Sequence, residues 1–503
     1  MGTEDFFRSR LEQMIDLRHP LVVLGKRLPW ERIEEALAPL FEHKAKAVQL
    51  REIEDFLGKH QVMEGGQASA AGRPRKAIRL MASLTYLKHS FDLSDEEVAD
   101  RWSENVVWQY FSGLDYYQPR RPCDPTQIGR FRKALGKQGL EALLKLTIQS
   151  AVDIKAIKPA EFERVIVDTT VQEKNIAYPV DSRLLEIARR KIVILAKRVG
   201  ITFKQTYEKE GKELRRRASG YAHARQMNRL NKVLKRQRTI LGKLIREIRR
   251  KLDAGEARPQ STTSLERLQT VLERAERIRT QQRHDKGKLY ALHAPEVECI
   301  SKGKARQRYE FGVKVSLVVT HRQGLMVGAQ SCPGAPYDGN TLKGQLAQTN
   351  ALIASTGRTV KEAHVDLGFR GVDRDNPDVR IVHRGKYKGL STADRRRLKR
   401  RQAIEPAIGH SKQDHRLNRC YLAGATGDML NALCCAVGYN LRWLMRAVVR
   451  LGLAAPFLRL LRATAEPRGW TTLLGSWSKR LRNVFDHLPP VDHDPALRFQ
   501  LAR

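Results

Sequence analysis

Three acidic residues stand where a carboxylate could take part in catalysis. Asp168 and Asp366 each end an apolar, β-branched run, and Glu405 lies inside a basic helical stretch. A carboxylate with apolar residues behind it and a turn ahead is expected to face a cleft. Three converging carboxylates would hold one or two Mg²⁺ ions, which prefer oxygen ligands and leave room for substrate phosphates. Two such ions stabilise the attacking and leaving oxygens of an in-line displacement at phosphorus.

Each acid alone also has a simpler interpretation. A single Asp at a strand end is most often a turn former. Glu405 follows Arg401 by four residues, which is the spacing of an ordinary ion pair on one helix face. The predicted metal site therefore depends on the set of three acids and on their order in the chain.

The elements that must position these acids have the pattern of a sheet built from separated pieces of chain. Strands are predicted over 162–170, 309–320, 325–330 and 359–367, and a hairpin turn over 321–324 joins the second and third. A basic helical stretch is predicted from about Ala393, past Glu405, towards His415. Strands and helices mixed in this way indicate an α/β or mixed fold.

The first 155 residues have the apolar spacing of short helices. Ser94 with Glu97 forms a capping box, and Asp124 precedes Pro125 at a second helix start. The basic side chains on the helix that follows are Arg130, Arg132 and Lys133. Two interpretations remain open: a helix-turn-helix that contacts DNA through these residues, or a plain helical bundle with a solvated basic face.

A long insertion, 183–294, separates the first predicted strand from the others. Leucines and other apolar residues recur at helical spacing in two stretches, with turn residues over 253–261 between them, which predicts an antiparallel helical hairpin. Over 201–251 there are 17 Lys and Arg against 4 Glu, a balance of 17 − 4 = +13. A charged run is usually a solvated face, but this imbalance exceeds what pairing within the helix can neutralise. Contact with a phosphate backbone is therefore the favoured interpretation.

The whole chain is strongly basic, with 93 Lys and Arg against 55 Asp and Glu in 503 residues, a formal net charge of +38. A polyanionic partner is expected, and an enzyme of acidic small metabolites is disfavoured. With 41% hydrophobic residues, wholesale disorder is excluded. The six cysteines form no disulfide framework or zinc ribbon, which fits a reducing cytoplasm. No leader pattern is present, and three arginines interrupt the apolar stretch 430–453, so no membrane association is expected.

Several motifs resemble bacterial insertion-sequence transposases of the DDE class, in the family numbered five and its relatives with a Y-R-E-K signature. The residues that carry the resemblance lie in the segments 166–170, 302–312, 336–339, 365–371, 401–412 and 414–422, with Asn440, Leu441 and the helical segments 111–113 and 126–132. Together these segments span most of 75–445. The family's signature Tyr would fall at position 398, where this chain has Leu398.

The resemblance implies an RNase H-like catalytic core in which Asp168, Asp366 and Glu405 bind Mg²⁺, with Mn²⁺ as a substitute. It also implies that Arg401 and Lys412 contact the DNA ends from the helix that carries Glu405. Pro406 disfavours helical geometry at Glu405 and is expected to kink or restart that helix. The other predicted DNA contacts are Lys302, Lys304 and the three basic residues near position 130.

These observations predict four regions: a helical DNA-binding domain over 1–155, a catalytic core over 160–182 and 295–425, the inserted hairpin, and C-terminal helices with a basic tail over 426–503. The expected function is a DNA transposase that binds the terminal inverted repeats of its element, cleaves the ends and joins the 3′-hydroxyls to target DNA. A homodimer is expected, because two ends must be joined. The alternatives are a domesticated DNA-binding protein without chemistry, a non-transposing nuclease on the same fold and, least favoured, a basic coiled-coil protein.

Overall fold

The structure is a computed structural model, and it describes residues 9–41, 76–258, 261–301 and 308–453, with the backbone of 53–54 and 60–61. Two predicted DNA contacts, Lys302 and Lys304, and nearly all of the predicted basic tail lie outside the described residues. The helices are α1 (Leu11–Met14), α2 (Pro20–Arg27), α3 (Trp30–Leu37), α4 (Ile78–Ser90), α5 (Asp95–Glu104), α6 (Val106–Phe111), α7 (Pro125–Asp153), α8 (Asp181–Arg198), α9 (Glu208–His223), α10 (Met227–Asp253), α11 (Thr262–Thr280), α12 (Asp338–Ile353), α13 (Thr392–Lys399), α14 (Ile404–Asp414) and α15 (Gly424–Arg450).

A mixed seven-stranded sheet lies at the centre of the fold. The strands are β1 (Ile53–Glu54), β2 (His60–Gln61), β3 (Arg164–Lys174), β4 (Glu298–Ser301), β5 (Tyr309–Thr320), β6 (Met326–Cys332), β7 (Glu362–His364), β8 (Arg380–Val382) and β9 (Arg419–Cys420), of which β1 and β2 form a separate pair. The antiparallel pair β3–β5 is the middle of the sheet, with β6 and β4 on the outer edge of β5. On the other edge of β3, β7 and then β8 run parallel to it.

The first strand extends further than predicted, because β3 continues to Lys174. Asp168 therefore lies inside the strand, where it pairs with Leu317, and the prediction that it ends the strand is wrong. The mostly polar residues after Asp168 stay extended because β5 pairs with them as far as Glu173 and β9 pairs with Lys174. On the opposite edge, β7 pairs with β3 only up to Ile166 and β9 begins only at Glu173 of β3. Asp168 thus lies where this edge of the sheet is open.

The helix α14 packs against β3. The predicted continuous basic helix is instead broken: α13 ends at Lys399, a 3₁₀ turn covers 400–403, and α14 begins at Ile404. Pro406 lies in the first turn of α14, where its missing N–H is no loss. The helix does restart here, but it begins two residues before the proline, and Glu405 lies in the first turn of the new helix, so the expected loss of helical geometry at Glu405 is not observed.

The N-terminal helices and the sheet share one apolar core. The helix α15 packs against α4, α7 and β6, so the apolar stretch predicted near 430–453 is buried between helices and sheet. The predicted capping box at Ser94 and the N-cap at Asp124 are both present. Within the described residues no helix is long and apolar enough to cross a membrane. All six cysteines are free thiols.

The insertion is larger than the predicted two-helix hairpin. The leucine-patterned stretches are confirmed as α10 and α11, but α8 and α9 precede them and pack on α10. The four helices enclose a separate apolar core, which includes Ile192, Leu241 and Leu272. The sequence pattern predicts too few helices because α9 is dominated by charged residues. This helix buries only a narrow face, through Gly211, Leu214 and Ala218.

Candidate functional site

Two of the three predicted acids are brought together by one arginine. Arg401 lies in the 3₁₀ turn before α14, and its guanidinium is 3.5 Å from Asp168 Oδ2 and 3.7 Å from Glu405 Oε1. The predicted spacing of four residues thus places Arg401 and Glu405 on one face. The side chain of Asp168 is only 17% exposed, whereas that of Glu405 is 63% exposed. Arg401 is a cation that these two carboxylates share in this structure.

The third acid, Asp366, follows β7 and begins a short 3₁₀ turn, as predicted for an acid at a strand end. Its Oδ1 accepts a hydrogen bond of 2.8 Å from the backbone N–H of Gly368. A side chain at position 368 would have its Cβ 3.0 Å from Asp366 Oδ1 and 2.9 Å from Asp338 Oδ2. Glycine at 368 therefore lets a fourth carboxylate, Asp338, approach Asp366.

Asp338 links the two halves of this site. At the first residue of α12, its Oδ1 accepts hydrogen bonds of 2.8 Å from Thr169 Oγ1 and 2.8 Å from Lys314 Nζ. Thr169 is the neighbour of Asp168 on β3, and Lys314 of β5 pairs with Val171 of β3. The Lys314 side chain is 11% exposed, so Asp338 neutralises its charge at a position that solvent hardly reaches. We call Asp168, Asp338, Asp366 and Glu405, with Lys314 and Arg401, the acid site.

A second group of charges fixes the strand that leads to Asp366. His364 is fully buried, and its Nε2 lies 2.6 Å from Glu362 Oε1. Burial opposes ionisation of Glu362, but the contact with His364 and the charges of Arg164 and Arg380 outweigh it and lower the pKa of this carboxyl. Arg380 also pairs with Asp394 at the start of α13. These contacts hold β7, β8 and α13 together and so position both Asp366 and Arg401.

The acid site has the donor chemistry for Mg²⁺ but not a closed set of ligands. All four acids offer carboxylate oxygens, which are the ligands that this ion prefers. Among the described residues, however, no group of three or more His, Cys, Asp or Glu side chains is close enough together to hold a metal ion. Positive side chains, Arg401 and Lys314, compensate three of the acids instead.

The predicted basic residues divide into three groups. Arg130 and Lys133 are exposed on α7, and Lys412 is half-buried on α14, seven residues after Glu405. Arg132 is different: it is 6% exposed and donates two hydrogen bonds to Asp95, which Lys88 also contacts at 2.6 Å. The prediction that Arg132 contacts DNA is therefore wrong for this structure, because its guanidinium ties α7 to the start of α5. Lys302 and Lys304 lie outside the described residues.

Comparison with known proteins finds a transposase-domain match in the N-terminal part of the chain. Residues 9–134 match a family model described as a transposase domain (DUF772). A protein of Rhizobium meliloti, described as uncharacterized protein ORF8 in nfe locus, is 42% identical over 225 residues, which cover 96% of that protein and 45% of this chain. The chain belongs to the same family as this protein. No solved structure matches it. The transposase-domain match supports a bacterial insertion-sequence transposase.

The sequence alone does not predict Asp338 or Lys314 as site residues of this chain. The local pattern at Asp338 is first that of a turn, and only the resemblance of segment 336–339 points to the site. The sequence does mark Lys314 as unusual, because this lysine stands between Val313 and Val315 in a strand that is otherwise largely apolar. A lysine in such a strand requires a buried partner. Nothing in the sequence identifies that partner as Asp338.

The presence of Leu398, where the signature Tyr of the resembled family would fall, has a structural explanation. Leu398 is 7% exposed on α13 and packs with Val382 and Leu390 in a small apolar cluster. An apolar side chain at this position holds α13 against β8. Leu398 therefore stabilises the segment that carries Arg401 and does not itself reach the acid site.

Proposed function

We propose that this protein is a DDE transposase that binds the inverted-repeat ends of its own insertion sequence, cleaves them and joins the freed 3′-hydroxyls to target DNA. The observation that carries the proposal is the acid site. Asp168 and Glu405 are 405 − 168 = 237 residues apart in the chain, and both contact the same arginine. Thr169, the neighbour of Asp168, donates a hydrogen bond to Asp338, which lies beside Asp366. The transposase-domain match at residues 9–134 supports the same assignment.

The proposal includes an RNase H-like catalytic core. The strand order β6-β5-β3-β7-β8, with β5 antiparallel to its neighbours and β7 and β8 parallel to β3, supports it. So does the place of the acids: one in the middle of the sheet, one after the next parallel strand, and one on a helix packed against the central strand.

Asp168, Asp366 and Glu405 are the proposed ligands of Mg²⁺, with Mn²⁺ as a substitute. When bound, these ions would activate the attacking oxygen and stabilise the leaving oxygen at the phosphodiester. The chain's own residues prepare this reaction. Asp338 is held by Lys314 and Thr169, which fixes the start of α12 beside Asp366. Arg401 contacts both Asp168 on β3 and Glu405 on α14, and it is the proposed contact to a phosphate of the substrate.

Double-stranded DNA is the proposed partner, both as transposon ends and as target, and a homodimer would bring two ends together. The net charge of +38 supports a polyanionic partner. The proposed phosphate contacts are Arg401 before α14, Lys412 on α14, and Arg130 and Lys133 on α7.

The test is strand cleavage and joining on a duplex that carries the inverted repeats flanking the coding sequence, with Mg²⁺ or with EDTA. Wild type is compared with Asp168→Ala, Asp366→Ala and Glu405→Ala. We expect metal-dependent cutting at the ends and a loss of about 1,000-fold or more in each variant, since removing a group essential for the reaction has effects of this order. Binding of the same duplex should survive. Cutting that persists in EDTA or in these variants would contradict the proposal.

One observation favours a second candidate, a domesticated DNA-binding protein without chemistry. The described acids form no closed metal-binding group, and Arg401 already compensates two of them. The same experiment separates the two functions. Tight binding of the ends by wild type with no cutting in Mg²⁺ or Mn²⁺ would favour the non-catalytic function.

A further inference from the structure

The inserted four-helix bundle has a groove whose charge is not explained by the folding of the bundle. A cavity of about 1150 Å³ lies between α8, α9 and the start of α10. Its lining includes the apolar residues Ala218, Leu230 and Leu234. The basic side chains that line it are Arg183, Arg190, Lys212, Arg215 and Arg216. We call these five residues, with the cavity between them, the basic groove.

The acids that line the groove are already compensated by other cations. Glu186 is bound by Arg189, with hydrogen bonds of 2.8 Å and 2.7 Å, and both side chains are almost fully buried. Asp181 has Arg238 at 3.8 Å. These acids are therefore poor counter-ions for the arginines of the groove.

Four of the five basic side chains have no ion-pair partner among the described residues. Lys212 is paired with Glu208 at 2.7 Å, whereas Arg183, Arg190, Arg215 and Arg216 make no such contact within the described chain. Four positive charges around one cavity repel each other, and in a protein without a ligand this repulsion opposes folding. Such an arrangement is expected where an external anion supplies the missing charge.

A second basic cavity adjoins the first along the same helix, α8. It has a volume of about 550 Å³ between α8 and α11 and shares Ile187 and Arg190 with the first. Its basic lining residues are Arg190, Lys191, Arg267, Arg274 and His293. The positive charge is therefore continuous from the first cavity to the second through Arg190, and it forms an extended surface, which is larger than a pocket for a single ion.

The dimensions of this surface indicate an extended partner. Arg183 and Arg190 are seven residues apart on α8, or about 10 Å at 1.5 Å per residue. One strand of DNA carries about three phosphates over that length, at 3.4 Å of axis per charge. A single phosphate or a nucleotide would leave most of these arginines without a partner.

The groove is also within reach of the acid site along one duplex. It begins at Ala177, nine residues after Asp168, and nine extended residues span at most about 32 Å. At 3.4 Å per pair, this upper limit corresponds to about ten base pairs. A duplex whose terminal phosphodiester is at the acid site can therefore extend to the bundle.

We propose that the basic groove binds the phosphate backbone of double-stranded DNA inside the cleaved end, through Arg183, Arg190, Arg215 and Arg216. Binding there is independent of base sequence, because charged contacts to phosphates carry no base readout. The inference rests on the proposed function only for the identity of the polyanion. It assigns to the insertion the role of holding DNA, separate from the chemistry of the acid site.

The test measures the salt dependence of duplex binding by the full chain. Arg215→Gln/Arg216→Gln removes two groove charges on α9. The matched control is Arg249→Gln/Arg250→Gln, an adjacent and equally exposed arginine pair on α10 that does not line either cavity. Both variants lose two positive charges, so the comparison cancels the effect of net charge alone. The probe is a 30-base-pair DNA duplex, with a duplex RNA of the same length beside it.

In the groove variant we expect the slope of log K against log salt to become less steep by about 1.8, since each phosphate contact contributes about 0.9. Affinity at low salt should fall about tenfold or more, and the control should keep the wild-type slope. Equal slopes in the two variants would overturn the inference while leaving the proposed cleavage intact. Preference for the RNA duplex, or no DNA binding by wild type, would also overturn it, and the latter would remove the proposed function too.

A second measurement does not depend on removing charge. Ser219 lines the groove and is exposed, so Ser219→Cys can carry a photoactivatable crosslinker. Thr263→Cys on α11, exposed and outside both cavities, is the control position. Crosslinks from position 219 to the duplex inside the cleaved end are expected, in excess of those from position 263. Equal crosslinking from both positions would contradict the assignment of the groove.

Discussion

The acid site and the basic groove are both rich in charge, but they handle it in opposite ways. In the acid site Lys314 pairs with Asp338, and Arg401 is shared by Asp168 and Glu405. In the groove, four arginines lack any such partner within the described chain, and the neighbouring acids are compensated elsewhere. Charges that are paired inside the fold fix geometry. Charges left unpaired at a surface are available to an external polyanion.

The two regions also differ in how the chain builds them. The acid site collects residues from β3, β5, α12, the segment after β7 and α14, which meet only because the sheet forms. The groove is made by consecutive helices with a core of their own. A change in the acid site is therefore expected to affect several elements, whereas a change in the groove stays local. Substitutions of paired and unpaired charges separate these two behaviours.

The largest effect on stability is expected from a paired charge, Arg132. Its side chain is 7% exposed and binds Asp95, so Arg132→Ala leaves a partly buried carboxylate with only Lys88. We expect the free energy of unfolding to fall by about 3 kcal/mol, the usual cost of breaking such a pair. Chemical denaturation measures it, with Arg130→Ala, an exposed position on the same helix, as the control. A loss of DNA binding without a loss of stability would restore Arg132 as a DNA contact.

The same pair has a signature in acid. Burial opposes ionisation of Asp95, but Arg132 and Lys88 outweigh it and lower the pKa of this carboxyl from 3.8 to about 2. Because the folded state has the lower pKa, the stabilisation is present above about pH 4 and is lost as the pH falls towards 2. The Arg132→Ala variant should lose less of its remaining stability over that interval than wild type does. Equal losses in the two proteins, measured by denaturation at each pH, would contradict this assignment.

Next in size is the effect of Asp338→Asn on cleavage. The amide keeps the shape of the side chain but weakens its contacts with Lys314 and Thr169, so the start of α12 is less firmly held beside Asp366. We expect cleavage to slow by about 10- to 100-fold, as for other residues that orient a metal ligand. The concentration of Mn²⁺ needed for half-maximal cleavage should rise in parallel. A variant with wild-type cleavage and metal dependence would remove Asp338 from the site.

The smallest effect is expected for Arg401, which is paired with acids inside the fold and is also a proposed phosphate contact. Its contacts with Asp168 and Glu405 are long, at 3.5 Å and 3.7 Å, and its Nη1 is buried without a hydrogen-bond partner in the described structure. If Arg401 contacts one phosphate of the DNA end, Arg401→Ala should make the salt dependence of binding less steep by about 0.9. Lys412→Ala should do the same, with a larger deficit at low salt than at high salt. An unchanged slope with lowered stability would make Arg401 purely structural.

The strands of the sheet are predictable where an apolar run has clear ends. The run 309–320 is observed as β5 with the predicted bounds, and its turn to β6 is confirmed. The end of β3 is not predictable, because the mostly polar residues from Thr169 to Lys174 become a strand only by pairing with β5 and, at the end, with β9. The same holds for the site: Asp338 and Thr169 meet across 169 residues of chain, a separation that no local pattern encodes.

In the insertion, the helices are predictable from the sequence but the groove is not. Its leucine periodicity predicts α10 and α11 and their turn, because each helix carries its own apolar stripe. The charge excess over 201–251 indicates a phosphate contact, but only the packing of α8, α9 and α10 shows which arginines lie together and which basic side chains are already paired. Local pattern is thus enough for the helices, whereas the groove depends on tertiary contacts.

The most direct test of this separation of roles measures binding and cleavage on one duplex for two variants. Asp168→Ala should bind the end with wild-type affinity and cut it at least about 1,000-fold more slowly at any DNA concentration. Arg215→Gln/Arg216→Gln should bind more weakly, and its cleavage should recover as the DNA concentration rises. The contradictory result would be a cleavage defect of the groove variant that persists at saturating DNA, or a parallel loss of binding in Asp168→Ala.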